Sequence, residues 1–595
     1  MQLRRVFSAF LLVFLAIPAI LAADRIPGEG WQRYADPSEA GFDPARLASA
    51  RETWETLPSS AFMVIADGAV VASWGDVDRR FMCHSVRKSF LSALYGIYWD
   101  RGEIELNKTL ADLGIDDEPE PLLDGEKRAR ILDLLKARSG VFHPAAYAGR
   151  TDSRPRGSEG PGRYFAYNNW DFNTLATILE QETGDSVFEA FDEHFGRPLQ
   201  MEDWRVSDGY FHYERDKSKY PAYPFRLSAR DAARIGLLFT REGLWGEKRI
   251  LSEQWVRRSS ALYSIDNDVM GYGFMWWILR EPRFAQYGAF AAAGVGNQMI
   301  VALPGADIVV VNRANTYQGE GTPGTALLDL IEQVLEARTG TSISEPRLAA
   351  LDAGAAESGE RGVATEQLAE FAGDWPYPPA SLGLAEETRV TISVEGDHLL
   401  THEPGSGTFK HYLQADGTLF EEDSHRRYYI VRNDKGRFDG IAGLGEVING
   451  ALVASAGGEG KRAKELIALL GDGEELHAGV ARALVDFVGG KRKRVESTLG
   501  ALATEADAAR VEAIVNRAAY EFLGRDQNAM AREILELNTR LFPEAFNTWD
   551  SLGELQMGVG ETQPAIASYR RSLELNPDNS NAERMIELLS ADPGN

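Results

Sequence analysis

The chain has 595 residues, with 63 Lys and Arg against 89 Asp and Glu, and a net charge of −26 at pH 7. This acidic balance argues against nucleic-acid binding, which needs a basic stripe, and against electrostatic attraction to anionic lipid. The length favours several domains, and a hydrophobic content of 44% is ample for packed cores.

Residues 1–23 have the features of a secretory signal peptide. Arg4 and Arg5 precede an apolar run over residues 6–20, and small residues follow at Ala22 and Ala23. Because the run is shorter than a full membrane span, we expect cleavage near Ala22 or Ala23, with an uncleaved anchor as the alternative. The sequence therefore predicts a periplasmic or secreted protein.

The first predicted elements of the mature chain lead to a Ser-x-x-Lys motif at Ser85 and Lys88. Strands are expected over residues 62–65 and 69–74, and an apolar run of helical length, residues 90–99, follows the motif. At the start of that buried helix, the two side chains would lie one turn apart on the same face. A serine nucleophile needs an adjacent base, and a lysine whose pKa is lowered by burial can supply it. Alone, the motif is weak, and the alternative is a solvated helix start.

Two later segments strengthen the case for a catalytic site. A turn rich in Gly and Pro precedes Tyr167-Asn168-Asn169, and Ala291-Ala292-Ala293-Gly294-Val295-Gly296 leads into an apolar strand. Between and beyond these segments, the apolar pattern predicts a set of helices followed by returning strands and one closing helix. The helices are expected over residues 128–137, 171–182, 186–195, 229–241 and 324–337, and the strands over residues 273–278, 298–303 and 308–312.

Together these motifs resemble the serine β-lactamase and penicillin-binding-protein superfamily, on its class C, D-alanyl-D-alanine peptidase and esterase side. The resemblance covers roughly residues 30–340. It implies an α+β fold, the β-lactamase/transpeptidase-like α/β sandwich with a helical lobe and an active site in the cleft between them. Early strands, a helical middle and late strands agree with that fold class.

The resemblance also implies roles for individual residues. Ser85 would be acylated, Lys88 would be its base, Tyr167 would exchange protons with the lysine, and Asn169 would position the substrate. Backbone N–H groups of Ser85 and of the stretch containing Gly294 and Gly296 would hold the oxyanion.

The third family motif departs from the usual Lys-Thr-Gly or His-x-Gly. The matching stretch, Ala291–Gly294, carries no cation, so recognition of a substrate carboxylate loses a charge-assisted partner. The pattern is more similar to esterase-like and 6-aminohexanoate-dimer-hydrolase-like members. Arg313, just past a predicted strand, is a candidate to replace the missing cation of this motif. The alternative is that Arg313 is an ordinary charged residue at the end of a strand.

Cys83 is the one cysteine, so no disulfide within the chain is predicted. Cys83 could be the nucleophile in place of Ser85, with His84 as its base, but no third group to support that pair is evident. The interpretation we favour is that Cys83 is a small buried residue. The nine histidines show no metal-ligand spacing, so neither a metal nor a cofactor is predicted.

Further domains are expected after the hydrolase domain. We place that domain at residues 24–340, a linker without apolar period at 341–366, a small β-rich domain at 367–455, and a helical region at 456–595. Within the last region, residues 512–579 resemble tetratricopeptide repeats, because Ala531 and Ala565 recur at the 34-residue period of that family. These helices would form a docking groove for a peptide or protein, or would merely cap the preceding domain.

The sequence thus predicts an exported serine hydrolase that acts on a small-molecule or peptide ester or amide. Alternatives are a penicillin-binding D-Ala-D-Ala peptidase or β-lactamase, or a catalytically inert protein that binds through its cleft and repeats. A protein or peptide partner is expected only through the C-terminal helices, and a membrane only during export.

Overall fold

The computed structural model describes residues 25–148, 154–319, 321–351, 368–385, 388–405, 407–471, 474–505, 508–577 and 579–591. The chain divides into two compact units, residues 1–357 with the short segment 405–407, and the remainder. The predicted signal peptide and most of the predicted linker lie outside the described residues.

The first unit alternates short strands with helices. Its strands are β1 Gln32–Tyr34, β2 Ala61–Ala66, β3 Ala69–Gly75, β4 Phe81–Met82, β5 Arg226–Leu227, β6 Leu244–Trp245, β7 Lys248–Arg249, β8 Ser264–Ile265, β9 Met270–Tyr272, β10 Trp277–Leu279, β11 Phe290–Gly294, β12 Gln298–Leu303, β13 Ile308–Arg313 and β14 Leu348–Ala350. Its helices are α1 Pro44–Glu55, α2 Arg87–Asp100, α3 Ile131–Leu135, α4 Asn169–Thr183, α5 Val187–Phe191, α6 Ala229–Thr240, α7 Glu253–Ser259, α8 Pro282–Ala285 and α9 Gly324–Ala337.

A ten-stranded sheet is the frame of this unit. Its strand order is β14-β1-β3-β2-β13-β12-β11-β10-β9-β8, and every pairing is antiparallel except that of β1 with β3. The central strands β2, β12 and β13 are buried along their whole length because both faces of the sheet are covered.

Alternate residues of the central strands enter two different cores, as the two-residue period of a strand requires. On β2, Met63 and Ile65 join the core beneath the helical lobe, whereas Phe62 and Val64 join the core formed with α1 and α9. Helix α2 lies in the first of these cores, where Phe90, Leu94 and their neighbours are fully buried. The sheet and the lobe therefore fix α2, and with it the Ser-x-x-Lys motif, from two sides.

The second unit has a seven-stranded antiparallel sheet and a run of helices. Its strands are β15 Gly373–Tyr377, β16 Thr388–Glu395, β17 His398–Glu403, β18 Gly407–Leu413, β19 Thr418–Glu421, β20 Arg427–Arg432 and β21 Phe438–Ala442. Its helices are α10 Leu444–Ala456, α11 Gly460–Ile467, α12 Glu475–Val488, α13 Val495–Glu505, α14 Ala508–Leu523, α15 Asn528–Leu541, α16 Phe546–Gly558, α17 Thr562–Leu575 and α18 Ser580–Ala591. Strands β15 and β21 also contact each other, so the sheet curls nearly into a barrel.

The predicted fold class is confirmed: an α/β domain with a helical lobe, a small β domain and a C-terminal helical segment. One difference concerns the expected linker, where Leu348–Ala350 pair with Gln32–Tyr34 as an edge strand. In the helical segment, Ala565 and Tyr569 are buried and Gly553 packs against the Tyr569 ring, in agreement with the small and aromatic positions of the repeat pattern. The assignment of these helices to tetratricopeptide repeats stays a prediction.

Candidate active site

Ser85 lies in a short 3₁₀ turn, His84–Val86, between β4 and α2. Strand β4 is anchored by its pairing with β5, and Cys83 N donates to Phe225 O at 2.8 Å. His84 has a φ of +47°, a left-handed conformation that side chains seldom adopt. The sequence predicts Ser85 near the start of a buried helix; in the structure that helix begins two residues later, at Arg87.

Lys88 lies between two hydroxyl groups. Its Nζ is 2.8 Å from Ser85 Oγ and 2.6 Å from Tyr167 OH, so one amine contacts both oxygens. The residue is only 1% exposed. Burial, with the charge of Arg87 as a second cause, lowers the pKa of Lys88 well below its ordinary value, which favours a neutral amine that can accept a proton.

Tyr167 reaches the lysine from the segment just before α4. Asn168 caps that helix by accepting from Asp171 N at 2.9 Å, which fixes the chain beside the tyrosine. The Tyr167 ring packs against Phe172 and Trp277, with centroids 5.1 and 5.4 Å away. Burial raises the pKa of Tyr167 to about 12, so the phenol keeps its proton at neutral pH.

Asn169 is the first residue of α4, and its side chain is engaged by the protein itself. Asn169 Nδ2 donates to the carbonyl oxygen of Tyr147. Tyr147 OH in turn lies 2.9 Å from His84 Nδ1, and His84 Nε2 lies 2.8 Å from Thr316 Oγ1. Burial, with Arg87 as the next cause, lowers the pKa of His84 to about 4, so this polar wall beside Ser85 is uncharged at neutral pH.

The two glycines of the third segment have different surroundings. A Cβ on Gly294 would lie 2.9 Å from Ser85 N, so the end of β11 passes directly against the nucleophile's backbone. Gly296, with a φ of +77°, packs instead against Gly321, and its carbonyl accepts from Thr322 N at 3.1 Å. Gly294 is therefore placed where an oxyanion-binding segment is needed, and Gly296 supports the turn behind it.

Arg313 does not replace the missing cation of the third motif. Its side chain is fully buried, and Nη2 donates to Phe81 O at 2.8 Å and to Leu227 O at 2.9 Å, tying β4 and β5 to the sheet. It also contacts Cys83 Sγ at 3.3 Å. Burial raises the pKa of the Cys83 thiol, so a thiolate nucleophile has no support in the structure.

A cavity of about 740 Å³ adjoins Tyr167. Its apolar wall includes Phe165, Leu262 and Ile265, the last of which is 62% exposed, and Arg138 and Arg163 supply positive charge. The sequence pattern does not predict this cavity, because it is assembled from the segment before α4 and the residues around β8, about a hundred positions apart.

Within the described ranges, no three His, Cys, Asp or Glu side chains cluster in a way that could hold a metal ion. No helix in those ranges combines the length and the apolar composition needed to cross a bilayer.

Comparison with known proteins gives the same placement for the first unit. Residues 46–335 match the Beta-lactamase family model. The 6-aminohexanoate-dimer hydrolase of Paenarthrobacter ureafaciens is 22% identical over 329 residues, covering 48% of this chain and 81% of that protein.

Two solved structures are also similar. The octameric penicillin-binding protein homologue from Pyrococcus abyssi is 14% identical, covers 65% of this chain and 96% of its own, and has a TM-score of 0.37. EstCE1, a hydrolase with promiscuous acyltransferase activity, is 16% identical, covers 51% of this chain and 100% of its own, and has a TM-score of 0.37.

Proposed function

Since residues 46–335 belong to the beta-lactamase superfamily of serine hydrolases and penicillin-binding proteins, we propose that this chain hydrolyses an ester or amide through an acyl-serine intermediate on Ser85. The observation that carries the proposal is the position of the Lys88 amine, within hydrogen-bond distance of both Ser85 Oγ and Tyr167 OH. A solvated helix start would leave the lysine in water, whereas here it is buried beside the hydroxyl that it would activate.

The reaction follows from this geometry. The neutral Lys88 amine takes the proton of Ser85 Oγ as the oxygen attacks the substrate carbonyl. The negative charge on the carbonyl oxygen is held by the Ser85 N–H and by backbone at the end of β11, beside Gly294. Lys88 and Tyr167 then pass the proton to the leaving alcohol or amine as its bond to the carbonyl carbon breaks. Water next attacks the acyl group and gives up a proton to the same residues, which return a proton to Ser85 Oγ as the acid is released.

An esterase or amidase fits the site better than penicillin recognition. Ala292 stands in the third motif where the family has a Lys or His, and Arg313, the candidate substitute, is engaged with backbone carbonyls under the sheet. The cavity beside Tyr167 offers an apolar wall, which would accept an acyl chain or an aromatic group of the substrate.

Two further parts of the proposal rest on the sequence. Residues 1–23 carry the pattern of a cleaved signal peptide, so we place the activity in the periplasm or outside the cell. The C-terminal helices, with their repeat-like spacing, would dock a peptide or protein partner of the hydrolase.

The test is hydrolysis of a p-nitrophenyl acyl ester by the mature protein and by Ser85→Ala. Ser89→Ala is the matched control, because Ser89 lies one residue beyond Lys88 but bonds Met275 O at 2.7 Å. We expect Ser85→Ala to lose turnover and Ser89→Ala to keep it. Turnover that is unchanged in Ser85→Ala would refute the proposal, and a covalent penicillin adduct would assign the site to the peptidase or β-lactamase side.

A further inference from the structure

Arg87 is a buried arginine that makes no ion pair among the described residues. Its side chain is fully buried, Nη1 donates to His84 O at 2.8 Å, and neither Nε nor Nη2 has a hydrogen-bond partner within the described ranges. The guanidinium instead lies between two aromatic rings, 5.2 Å from the centroid of Tyr147 and 4.9 Å from that of Tyr223. The π-faces of these rings stabilise a cation without neutralising it.

Arg234 and Arg80, two other buried arginines of the same unit, are paired with carboxylates. Arg234, also fully buried, lies 2.8 Å from Glu202 Oε1, and Arg80 lies 3.2 Å from Asp208 Oδ1. A buried charge is costly to the fold unless a carboxylate neutralises it. Arg87 and Arg313 depart from this pattern, and Arg313 uses its Nη2 to bond two backbone carbonyls that hold strands together. Arg87 is the one of the two that directly precedes Lys88, which points to a use of its charge there.

We propose that Arg87 is a positioning residue of the hydrolase: its unneutralised, ring-clamped charge keeps the neighbouring Lys88 amine in the neutral form that accepts the proton of Ser85. This inference rests on the proposed function. Two like charges on adjacent, buried side chains disfavour each other, and a guanidinium is a permanent cation in proteins.

The other titratable groups around Lys88 come from several elements, and burial disfavours the charged form of each. Burial raises the pKa values of Tyr167, Tyr223 and Tyr272, and it raises that of Asp171, at the start of α4, well above its ordinary value. Burial also lowers the pKa of His84. Arg87 is therefore the charged neighbour whose field acts on the lysine, in the same direction as burial.

The test is the pH dependence of kcat/KM for p-nitrophenyl acetate in wild type and in Arg87→Gln. Glutamine can still donate to His84 O but carries no charge, so the pKa of Lys88 should rise. The acidic limb of the kcat/KM profile, where Lys88 becomes protonated, should therefore move to higher pH by about one unit or more. At pH values below that limb, kcat/KM of Arg87→Gln should be about tenfold lower than that of wild type. A merely structural role of Arg87 would change the amplitude of kcat/KM and leave the acidic limb in place.

Arg313→Gln is the matched control, because Arg313 is equally buried and lies beside Cys83, yet it is engaged with backbone carbonyls rather than with the lysine. We expect this variant to lose thermal stability and to keep the acidic limb of the wild type. A shift of the limb in Arg313→Gln equal to that in Arg87→Gln would overturn the specific role of Arg87.

A second variant keeps the inference testable if Arg87→Gln does not fold. The ¹³Cε signal of Lys88, assigned by its absence in Lys88→Met, is followed by NMR against pH in wild type and in Arg87→Met, which also lacks the charge. A higher titration midpoint in Arg87→Met than in wild type supports the inference, and equal midpoints in the two proteins overturn it. Loss of turnover in Ser85→Ala together with an unmoved limb in Arg87→Gln would overturn this inference alone, whereas unchanged turnover in Ser85→Ala would overturn the proposed function itself.

Discussion

The end of strand β11 is packed so closely against the nucleophile that a Cβ on Gly294 would lie 2.9 Å from Ser85 N and 2.6 Å from Cys83 O. Both of these neighbours are backbone atoms, which cannot rotate away as a side chain can. Gly294 therefore sets the distance between the two backbone segments that the proposed mechanism needs for the oxyanion.

Gly294→Ala should separate β11 from Ser85 and weaken the oxyanion site. We expect kcat/KM for a p-nitrophenyl ester to fall about 100-fold, the size of effect seen when one oxyanion donor is lost. Gly28→Ala is the control, because a Cβ there meets no heavy atom within 4 Å. Equal activity of Gly294→Ala and Gly28→Ala would show that the close approach has no catalytic role.

Lys88→Met should abolish turnover and yet stabilise the protein at neutral pH. Burial, with the Arg87 charge, lowers the folded-state pKa of Lys88 well below its unfolded value, so below the unfolded value the unfolded chain binds more protons than the folded chain. The loss of stability that this difference causes is greatest at pH values below the folded-state pKa. It disappears as the pH rises to the pKa of lysine in the unfolded chain, near 10.4. Methionine has no proton to lose on folding, so it removes that loss of stability and should gain about 1 kcal/mol or more at neutral pH.

Thermal unfolding at neutral and at alkaline pH measures this effect. The Tm advantage of Lys88→Met over wild type should shrink as the pH approaches the unfolded-state value. Lys493→Met, at an exposed position, should show no pH-dependent difference. A Lys88→Met protein that is less stable than wild type at every pH would contradict the buried, neutral amine.

Tyr167→Phe should separate the chemistry of the hydroxyl from the packing of the ring. The ring contacts Phe172 and Trp277 would remain, so Tm should change little, while kcat should fall by about 10²- to 10⁴-fold as a proton-transfer group is lost. Because burial raises the pKa of Tyr167 to about 12, the wild-type kcat/KM should show no loss from this group at weakly alkaline pH. Near-wild-type kcat in Tyr167→Phe would exclude the phenol from proton transfer.

Ile265→Asp tests the cavity beside Tyr167 as the site of the substrate's apolar group. Ile265 is 62% exposed on the cavity wall, so the change should not disturb the core. We expect kcat/KM for p-nitrophenyl octanoate to fall about tenfold, the equivalent of roughly two buried methylenes, and that for the acetate to stay unchanged. Ile343→Asp, at a position 50% exposed and outside the cavity lining, is the control. Equal losses for both esters would place the acyl chain elsewhere.

Much of the frame could be predicted from periodicity alone. The closing helix, expected over residues 324–337, spans Gly324–Ala337, and the strand expected over residues 308–312 spans Ile308–Arg313. The strand is buried along its whole length, and the helix carries a regular apolar stripe that packs into the core, so both patterns are readable in the sequence. The short helix Ile131–Leu135, expected over residues 128–137, is shorter than predicted because its ends are set by turns and hydrogen bonds outside the pattern.

The candidate site was predictable only where its residues form motifs. Ser85 and Lys88 are one turn apart, and their proximity follows from helix geometry. The hydrogen bonds that join Tyr147 to His84, and the aromatic clamp on Arg87, connect residues 60 or more positions apart, and no local pattern encodes them. The role expected for Asn169 in positioning the substrate stays a prediction, since its amide bonds the backbone of Tyr147 in this structure.

The most direct measurement of acyl transfer to Ser85 is peptide mapping of the mature protein quenched in acid within one turnover of a p-nitrophenyl ester. We expect the acyl mass on the peptide that contains Ser85, no acyl mass in Ser85→Ala, and far slower formation of the adduct in Lys88→Met. An acyl group on another residue, or rapid turnover with no covalent adduct at any time, would contradict acyl transfer to Ser85.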